Sequence, residues 1–237
     1  MALLGEAVAE TIWTTRCVVC DRPGTLLCDS CRTHLPYIDR WRACPRCGSP
    51  HGRMQCMDCN SFSLAEVGRT DVPFDRCVSA IEHRGATRAL ITAYKDAGER
   101  RLSGEIARIV ADALPDSWVE PGCALAFVPA DRKAVSKRGF DHMELIARDL
   151  AGMLGVPCMH ALGKLPVADQ RGLGRRERFR NMVGAIHVRP VLTGLMPARV
   201  ILVDDVYTTG ATLFAASDAL RLAGVEHLRC ATFARVP

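Results

Sequence analysis

The stretch Val200-Ile-Leu-Val-Asp-Asp-Val-Tyr-Thr-Thr-Gly-Ala-Thr212 decides the fold of this chain. It begins with four apolar residues, which are typical of a buried strand, and continues with two adjacent acids. A turn that contains Gly210 then leads into a segment with helical spacing at residues 211–223. The N-terminus of a helix offers unpaired backbone N–H groups and a positive dipole end. The stretch therefore predicts a phosphate-binding loop at the carboxyl end of a strand, where open α/β sheets bind ligands.

The two acids, Asp204 and Asp205, are the candidate catalytic residues of this loop. Carboxylates do not favour a phosphate directly, but they accept hydrogen bonds from neighbouring sugar hydroxyls or interact with a hydrated Mg²⁺. Thr208, Thr209 and Thr212 add hydroxyl donors that an anion can accept. A simpler alternative is that one of these side chains only caps the helix. That alternative explains a single position and leaves the rest of the pattern unexplained.

Strand-like and helix-like segments alternate over the rest of the chain from residue 74. Short apolar runs predict strands, and apolar residues at helical spacing predict helices. The arginine-rich segment 164–181 is polar and predicts a loop. Strands interleaved with helices favour the α/β class, an open, mostly parallel sheet flanked by helices. The predicted strands are 77–82, 124–128, 156–162, 183–188, 200–203 and 227–234, and the predicted helices are 87–97, 102–114, 140–154 and 211–223.

Eight of the twelve cysteines lie before residue 60, in four C-x-x-C pairs. Both thiolates of such a pair reach one ion, and four thiolates suit the tetrahedral coordination of Zn²⁺. The repeat predicts a double zinc ribbon with two structural sites over residues 14–62, followed by a domain over 74–237. Sequential and cross-braced pairing of the motifs both remain open, and disulfide or redox chemistry is the less favoured alternative. The predicted ligands are Cys17, Cys20, Cys28, Cys31, Cys44, Cys47, Cys56 and Cys59.

The composition limits the class of protein. Of 237 residues, 49% are hydrophobic and 24% are charged, a globular balance without the low hydrophobicity of disordered chains. No apolar run approaches the roughly 20 residues that cross a bilayer, so we expect no membrane insertion. The N-terminus lacks the pattern of a secretory signal, so we expect a cytoplasmic protein with reduced cysteines. The other four cysteines are expected in the core, at Cys77, Cys123, Cys158 and Cys230.

The net charge is +5, and arginine outnumbers lysine 27 to 4. A mildly basic chain permits an anionic partner but does not identify one. Arginine suits bidentate contacts to phosphate, although genomic base composition explains such a bias equally simply.

Four segments together resemble one known family. The stretch 200–212 looks like the motif with which type I phosphoribosyltransferases bind phosphoribosyl pyrophosphate (PRPP). Segment 128–141 carries a basic run before Arg-Gly-Phe-Asp and is similar to a segment of the ComF family. Segment 170–184 and the sequence Ala93-Tyr-Lys95 are similar to two further ComF segments. A double zinc ribbon also belongs to that family, so the resemblance covers nearly the whole chain.

The chain departs from the ComF pattern at two pairs of positions. Asp141 and His142 stand where the family usually has Asn and Gln. A carboxylate therefore replaces an amide near the expected position of the pyrophosphate. Ala130 and Asp131, just upstream, also depart from the usual apolar stretch.

The resemblance implies a type I phosphoribosyltransferase-like domain that binds PRPP with Mg²⁺ and transfers phosphoribosyl to an acceptor, with release of pyrophosphate. Asp204 and Asp205 would hold the ribose hydroxyls and favour the positive charge that develops at C1′. The segment 164–181 would close over the site and exclude water. PRPP would be bound by Thr208, Thr209, Gly210, Ala211, Thr212, Lys95, Lys133, Lys137 and Arg138, with Arg132 as a further candidate. The closing loop would contribute Gln170, Arg175 and Arg178, beside Arg171, Arg176 and Arg180.

The sequence does not identify the acceptor. A second hypothesis is a non-catalytic protein that binds PRPP, a nucleotide or single-stranded DNA and supports DNA uptake or recombination, since the ComF family is associated with competence. Its zinc ribbons or arginines would then contact DNA or a protein partner. Aromatic residues make up only 5% of the chain, and no stacking platform is visible, which argues against strong single-strand binding. A glutamine-dependent amidophosphoribosyltransferase is not expected, because no cysteine follows Met1 and the chain has no length for a glutaminase domain.

Overall fold

The computed structural model describes residues 14–167 and 172–237, and seven strands lie within them. The strands are β1 (Arg76–Glu82), β2 (Cys123–Phe127), β3 (Cys158–Met159), β4 (Leu162–Lys164), β5 (Ile186–Val188), β6 (Arg199–Tyr207) and β7 (His227–Arg235). Five of them form a parallel sheet in the order β1–β7–β6–β2–β3. The other two, β4 and β5, form an antiparallel hairpin. The α/β prediction is therefore confirmed, with β6 at the centre of the sheet.

Eight α-helices accompany the strands within the described residues. They are α1 (Asp29–Thr33), α2 (Ser61–Ala65), α3 (Ala86–Lys95), α4 (Leu102–Ala113), α5 (Arg132–Arg138), α6 (His142–Leu154), α7 (Arg175–Met182) and α8 (Ala211–Leu222).

The two faces of the sheet bury separate sets of side chains, because successive residues of a strand point to opposite faces. Ile201 and Val203 of β6 pack with apolar residues of α3, α4 and α6. Val200 and Leu202 pack on the other face with α7, α8 and the β4–β5 hairpin. A strand covered on both faces reads as a continuous apolar run, which is why 200–203 has no polar alternation.

The segment 164–181 is not a continuous loop, so that prediction is wrong. Helix α7 occupies its second half, and Phe179 and Met182 of this helix are buried against α8. Its remaining side chains are mostly charged, and so the sequence shows little apolar periodicity to reveal the helix. Gln170 and Arg171 lie outside the described residues.

The structure differs from the predicted strands and helices in three other places. The single strand predicted at 156–162 is two short strands, β3 and β4, which belong to different sheets. Helix α5 was not predicted, because its residues are basic and polar. Strand β6 continues to Tyr207, so both acids lie within the strand rather than in the turn after it.

The cysteine-rich N-terminal region covers the open edge of the sheet at β1. Ile38 donates its backbone N–H to the carbonyl of Ala80 at 3.0 Å, and Glu82 donates to Pro36 at 2.8 Å. Further along the same edge, Cys77 donates to the carbonyl of Arg46 at 2.8 Å. These bonds satisfy backbone groups of an edge strand that would otherwise be free to pair with another chain.

Among the helices of the described residues, none is both long and apolar enough to cross a membrane.

Candidate functional site

Eight cysteines form two compact groups in the N-terminal region. We call Cys17, Cys20, Cys28 and Cys31 site one, and Cys44, Cys47, Cys56 and Cys59 site two. Within each site the four sulfur atoms lie within 4.8 Å of one another, which groups successive motifs and answers the open question of pairing.

The sulfur geometry suits zinc. The Sγ atoms of Cys20 and Cys28 are 3.7 Å apart, and those of Cys47 and Cys56 are 3.5 Å apart. Tetrahedral thiolates at about 2.3 Å from one Zn²⁺ have sulfurs separated by about 3.8 Å. All eight thiols are free of disulfides. The two sites could therefore hold two zinc ions with no open coordination position.

Site two is buried more deeply than site one. Cys47 is fully buried, whereas Cys20 of site one is exposed. Gly48 follows Cys47 with φ of 71°, and a Cβ there would lie 2.8 Å from the carbonyl oxygen of Cys77. Only glycine allows site two to approach β1 so closely.

Of the four single cysteines, Cys77, Cys123 and Cys230 are buried and Cys158 is half-buried. The expectation that they are small core residues is confirmed for the first three. Burial raises the pKa of Cys77 to about 12, so this thiol stays protonated and chemically inert.

The acidic pair lies near the carboxyl end of β6, and its two side chains point to opposite faces of the sheet. Asp205 faces α3 and α6, where Lys95 forms an ion pair with its Oδ2. His142 Nε2 lies 2.5 Å from the same oxygen. Asp204 is buried, and its Oδ1 accepts the backbone N–H of Asp205 at 2.9 Å.

These surroundings separate the pKa values of the two acids. Burial and, second, the neighbouring charge of Asp205 together raise the pKa of Asp204 to about 7. Burial also acts to raise the pKa of Asp205, but Lys95 and His142 outweigh it and hold that pKa well below its usual range. Asp205 is thus a permanent carboxylate, while Asp204 titrates near neutral pH.

His142 belongs to a polar cluster that the sequence did not predict. Its Nδ1 lies 2.9 Å from Nη1 of Arg138, and Arg138 Nε donates to the carbonyl of Lys95 at 2.6 Å. The hydroxyl of Tyr94 donates to the carbonyl of His142 at 2.6 Å. Through these contacts, side chains of helices α3, α5 and α6 are linked to Asp205. Its sequence signal is the His that replaces the usual Gln.

Asp141 has a structural role at the start of α6. It is the N-cap of α6, where its Oδ1 accepts the N–H of Met143 at 2.9 Å. Its Oδ2 accepts the N–H of Ala130 at 3.0 Å. The carboxylate therefore fastens the loop after β2 to the start of α6, as an N-cap side chain commonly does.

The basic residues of α5 divide into two groups. Arg138 points inward to His142, as described above, and is half-buried. Lys133 and Lys137 are exposed, as is Arg132. The helix follows β2 directly, beside the carboxyl end of β6, so its exposed lysines lie at the edge of the sheet that carries the acids.

The glycine turn lies directly after β6. Gly210 is the N-cap of α8 and has φ of 87°, a left-handed conformation. A Cβ at this position would lie 2.5 Å from the Tyr207 hydroxyl oxygen, so the Tyr207 ring occupies the space that a side chain would need. Thr208 is exposed, and Thr209 and Thr212 are half-buried. Ala211 is the first residue of α8, so the predicted strand–turn–helix order is present.

Two arginines of α7 reach different parts of the molecule. Arg178 Nη1 donates to the Thr208 hydroxyl at 3.1 Å, which brings this predicted loop residue to the glycine turn. Arg175 Nη2 donates to the carbonyl of Asp58 in site two at 2.7 Å. Arg176 and Arg180 are exposed and line a separate cavity against α8.

Arg235, at the end of β7, is a buried cation that sequence reasoning missed. Its side chain is 1% exposed, and its Nη2 donates to Asp58 Oδ2 at 2.8 Å. Its Nη1 donates to the carbonyl of Cys47 at 2.6 Å, and its guanidinium carbon lies 3.7 Å from the centre of the Tyr207 ring. The only sequence signal is a charged residue that ends an apolar strand.

Three curated proteins match the chain over most of its length. Competence protein F of Haemophilus influenzae is 27% identical over 220 residues, which cover 88% of this chain and 90% of that protein. Competence protein ComFC of Bacillus subtilis is 25% identical over 212 residues, covering 87% and 82%. The chain is a relative of the ComF proteins. The ComFC of Streptococcus pneumoniae, at 21% identity, matches 98% of both chains, so the ComF relationship includes the cysteine-rich region.

No protein-family model matches the chain. The ComF resemblance identified from the sequence motifs is nevertheless confirmed by these full-length relatives together with the two four-cysteine groups.

Proposed function

We propose that this protein binds PRPP with Mg²⁺ and transfers its phosphoribosyl group to an acceptor, with release of pyrophosphate. We further propose that residues 14–62 fold as the double zinc ribbon and residues 74–237 as the phosphoribosyltransferase-like domain. One observation carries the functional proposal: the acidic pair of β6 directly precedes a left-handed glycine turn at the N-terminus of α8. Carboxylates for a ribose and amides for a phosphate thus follow one another along a single strand–turn–helix unit.

The glycine turn supplies the anchor for the 5-phosphate. The first N–H groups of α8 have no partner within the helix and carry the positive end of its dipole. Gly210 is buried beside the Tyr207 ring and gives the turn its left-handed conformation, while Thr208, Thr209 and Thr212 add hydroxyls around it. Arg178 already donates to Thr208, so its guanidinium lies where a second negative charge would be stabilised.

The acidic pair supplies the contacts for the ribose. Asp205 is ionised at all physiological pH values and accepts hydrogen bonds from hydroxyls, while Asp204 becomes a full carboxylate above about pH 7. Negative charge beside the sugar favours positive charge at C1′ as the bond to pyrophosphate lengthens. When bound, Mg²⁺ would neutralise pyrophosphate charge, with Asp204 or Asp205 interacting through its water shell.

Basic side chains around the acids supply the contacts for the leaving pyrophosphate. Lys95 is the nearest, since it forms an ion pair with Asp205 and is 21% exposed. Lys133 and Lys137 project from α5 at the same edge of the sheet. Arg138 would act less directly, because its guanidinium is engaged by His142 and by the Lys95 carbonyl.

Calorimetric titration with PRPP and Mg²⁺ tests the site. We expect the Asp204→Asn, Asp205→Asn double variant to bind PRPP at least tenfold more weakly, the effect of losing about 1.4 kcal/mol of interaction. Its zinc content should not change. Asp112→Asn, an exposed position on α4, is the matched control. Equal PRPP affinity in the double variant and the wild type would overturn the site assignment.

A second candidate function is support of DNA uptake without catalysis, and the names of the three relatives, which are competence proteins, favour it. This protein would then bind PRPP, a nucleotide or single-stranded DNA. Pyrophosphate release from PRPP with a pool of bases and amines separates the two functions. Tight PRPP binding without release supports the non-catalytic function, and salt-dependent binding to single strands would add DNA as a partner.

A further inference from the structure

We propose that site two positions the glycine turn, and that Arg235 is the positioning residue that joins them. The inference concerns residues outside the acidic pair, and only its ligand-binding consequence rests on the proposed PRPP function. It predicts that the two four-cysteine sites are not equivalent: site two holds the glycine turn in place, and site one does not.

Arg235 is surrounded by polar groups of site two. A buried guanidinium is costly unless its charge is paired and hydrogen-bonded. In Arg235 the two Nη atoms make such bonds, while Nε has no hydrogen-bond partner among the described residues. Asp58, inside the Cys56-x-x-Cys59 turn, provides the carboxylate at 2.8 Å. Cys47 provides a carbonyl at 2.6 Å, and its Sγ lies 3.7 Å from Nη2. Both partners thus come from the two turns that make site two.

Arg235 also contacts the ring of Tyr207. The guanidinium stacks on the Tyr207 ring at 3.7 Å from its centre, a distance at which the cation and the ring attract each other. Tyr207 in turn fills the space beside Gly210, where a Cβ would lie 2.5 Å from its hydroxyl oxygen. The position of the ring therefore limits where Gly210 and the start of α8 can lie.

A second connection runs from the same turn through α7. Arg175 donates to the backbone carbonyl of Asp58 at 2.7 Å. One turn later in that helix, Arg178 donates to the Thr208 hydroxyl at 3.1 Å. Asp58 is thus connected to Tyr207 by its side chain, through Arg235. Its carbonyl is connected to Thr208 through helix α7.

Site one faces a different part of the molecule. Cys17 packs into the core on the other face of the sheet, with α3, α4 and α6. Next to Cys31, Arg32 forms an ion pair with Glu105 of α4. Its contacts therefore stabilise a helix on the face opposite α8, and this gives an internal control for site two.

Metal binding would strengthen the connection between site two and the glycine turn. Four thiolates bound to one ion fix the two turns relative to each other, and so fix Asp58 relative to Cys47. Without that cross-link the two partners of Arg235 can separate. Because linkage is reciprocal, an anion that orders the glycine turn should also strengthen metal binding at site two.

Hydrogen exchange of the peptide 207–213 tests the proposal without any ligand. We expect Cys56→Ser in site two to speed exchange in this peptide by about tenfold, within the range of typical couplings between sites. Cys28→Ser in site one, also a half-buried ligand, should leave it unchanged. Equal effects of the two variants, or no effect of either, would overturn the proposal.

Arg235→Lys tests the same connection in a chain that keeps both metal sites and the positive charge. A lysine ammonium group lacks the planar guanidinium with which Arg235 donates to both Asp58 and Cys47. We therefore again expect faster hydrogen exchange in the peptide 207–213. Arg229→Lys is the matched control, since Arg229 stacks on Trp118 at the other end of β7. Faster exchange throughout the sheet would indicate general destabilisation and count against a positioning role.

Cobalt-substituted protein gives the reciprocal measurement. Titration with PRPP and Mg²⁺ should shift the thiolate–cobalt absorption of the Cys28→Ser variant, which keeps site two, and leave that of Cys56→Ser unchanged. If the wild type does not bind PRPP, the proposed function is wrong, but the positioning role of site two is still tested by hydrogen exchange, which needs no ligand. PRPP binding with no change at site two would defeat the coupling alone.

Discussion

His142 Nε2 lies 2.5 Å from Asp205 Oδ2, the same oxygen that forms the ion pair with Lys95. The contact joins the start of α6 to the end of β6, across 63 residues of sequence. His142 is also a position at which this sequence was expected to depart from the ComF family that it resembles.

His142→Ala should destabilise the protein by about 1–3 kcal/mol, because it removes a partner from the half-buried carboxylate of Asp205 and leaves Arg138 one acceptor short. The midpoint of urea unfolding measures this. His142→Gln should recover part of the loss, since an amide can still donate to Asp205. His227→Ala, at the exposed start of β7, should stay within about 0.5 kcal/mol of the wild type.

The free energy of unfolding should depend on pH through Asp204. Its pKa in the folded protein is about 7, above the unfolded value near 3.9, so the folded state binds the extra proton. The stability from this group is complete below about pH 4 and is lost as the pH rises to about 7. Asp205 has the opposite shift, so its contribution disappears only at pH values below its unfolded pKa.

Urea unfolding of the wild type and of Asp204→Asn at pH 5, 6, 7 and 8 isolates this effect. The variant should gain stability relative to the wild type as the pH rises to about 7, and the difference should then level off. A constant difference between the two proteins over this range would mean that Asp204 does not titrate there.

Gly210→Ala should disrupt the glycine turn more than a left-handed backbone alone explains. An alanine with positive φ costs roughly 1–2 kcal/mol, and the new Cβ would also collide with Tyr207. Gly224→Ala is the control, because Gly224 has φ of 95° but an added Cβ would meet no atom within 4 Å. Thermal unfolding should show a larger loss for Gly210→Ala, and equal losses would contradict the close packing of Tyr207.

The purified protein should contain about two zinc ions per chain, one in each four-cysteine site. Cys20→Ser and Cys47→Ser should each reduce the content to about one, measured by atomic absorption. Cys47→Ser should lower the unfolding temperature more, because Cys47 is fully buried and Cys20 is exposed. Unchanged zinc content in either variant would contradict the assignment of its site.

The parts of this protein that depend on local spacing were predictable from its sequence. A C-x-x-C pair specifies two adjacent ligands by itself, and the order of apolar run, acids, glycine and helix specifies a strand–turn–helix unit. Helix α7 was not predicted because most of its residues are charged. Its two buried residues, Phe179 and Met182, are too few to produce a clear apolar periodicity.

The sequence by itself therefore determined the α/β class, the eight candidate cysteine ligands and the acidic pair ahead of the glycine turn. Only the tertiary structure decided that the cysteine motifs group in succession, that His142 and Lys95 meet at Asp205, and that Arg235 bonds to Cys47 across 188 residues. The physical reason is the range of the interaction. Backbone geometry links residues a few positions apart, whereas distant side chains meet only once the sheet and its layers have packed.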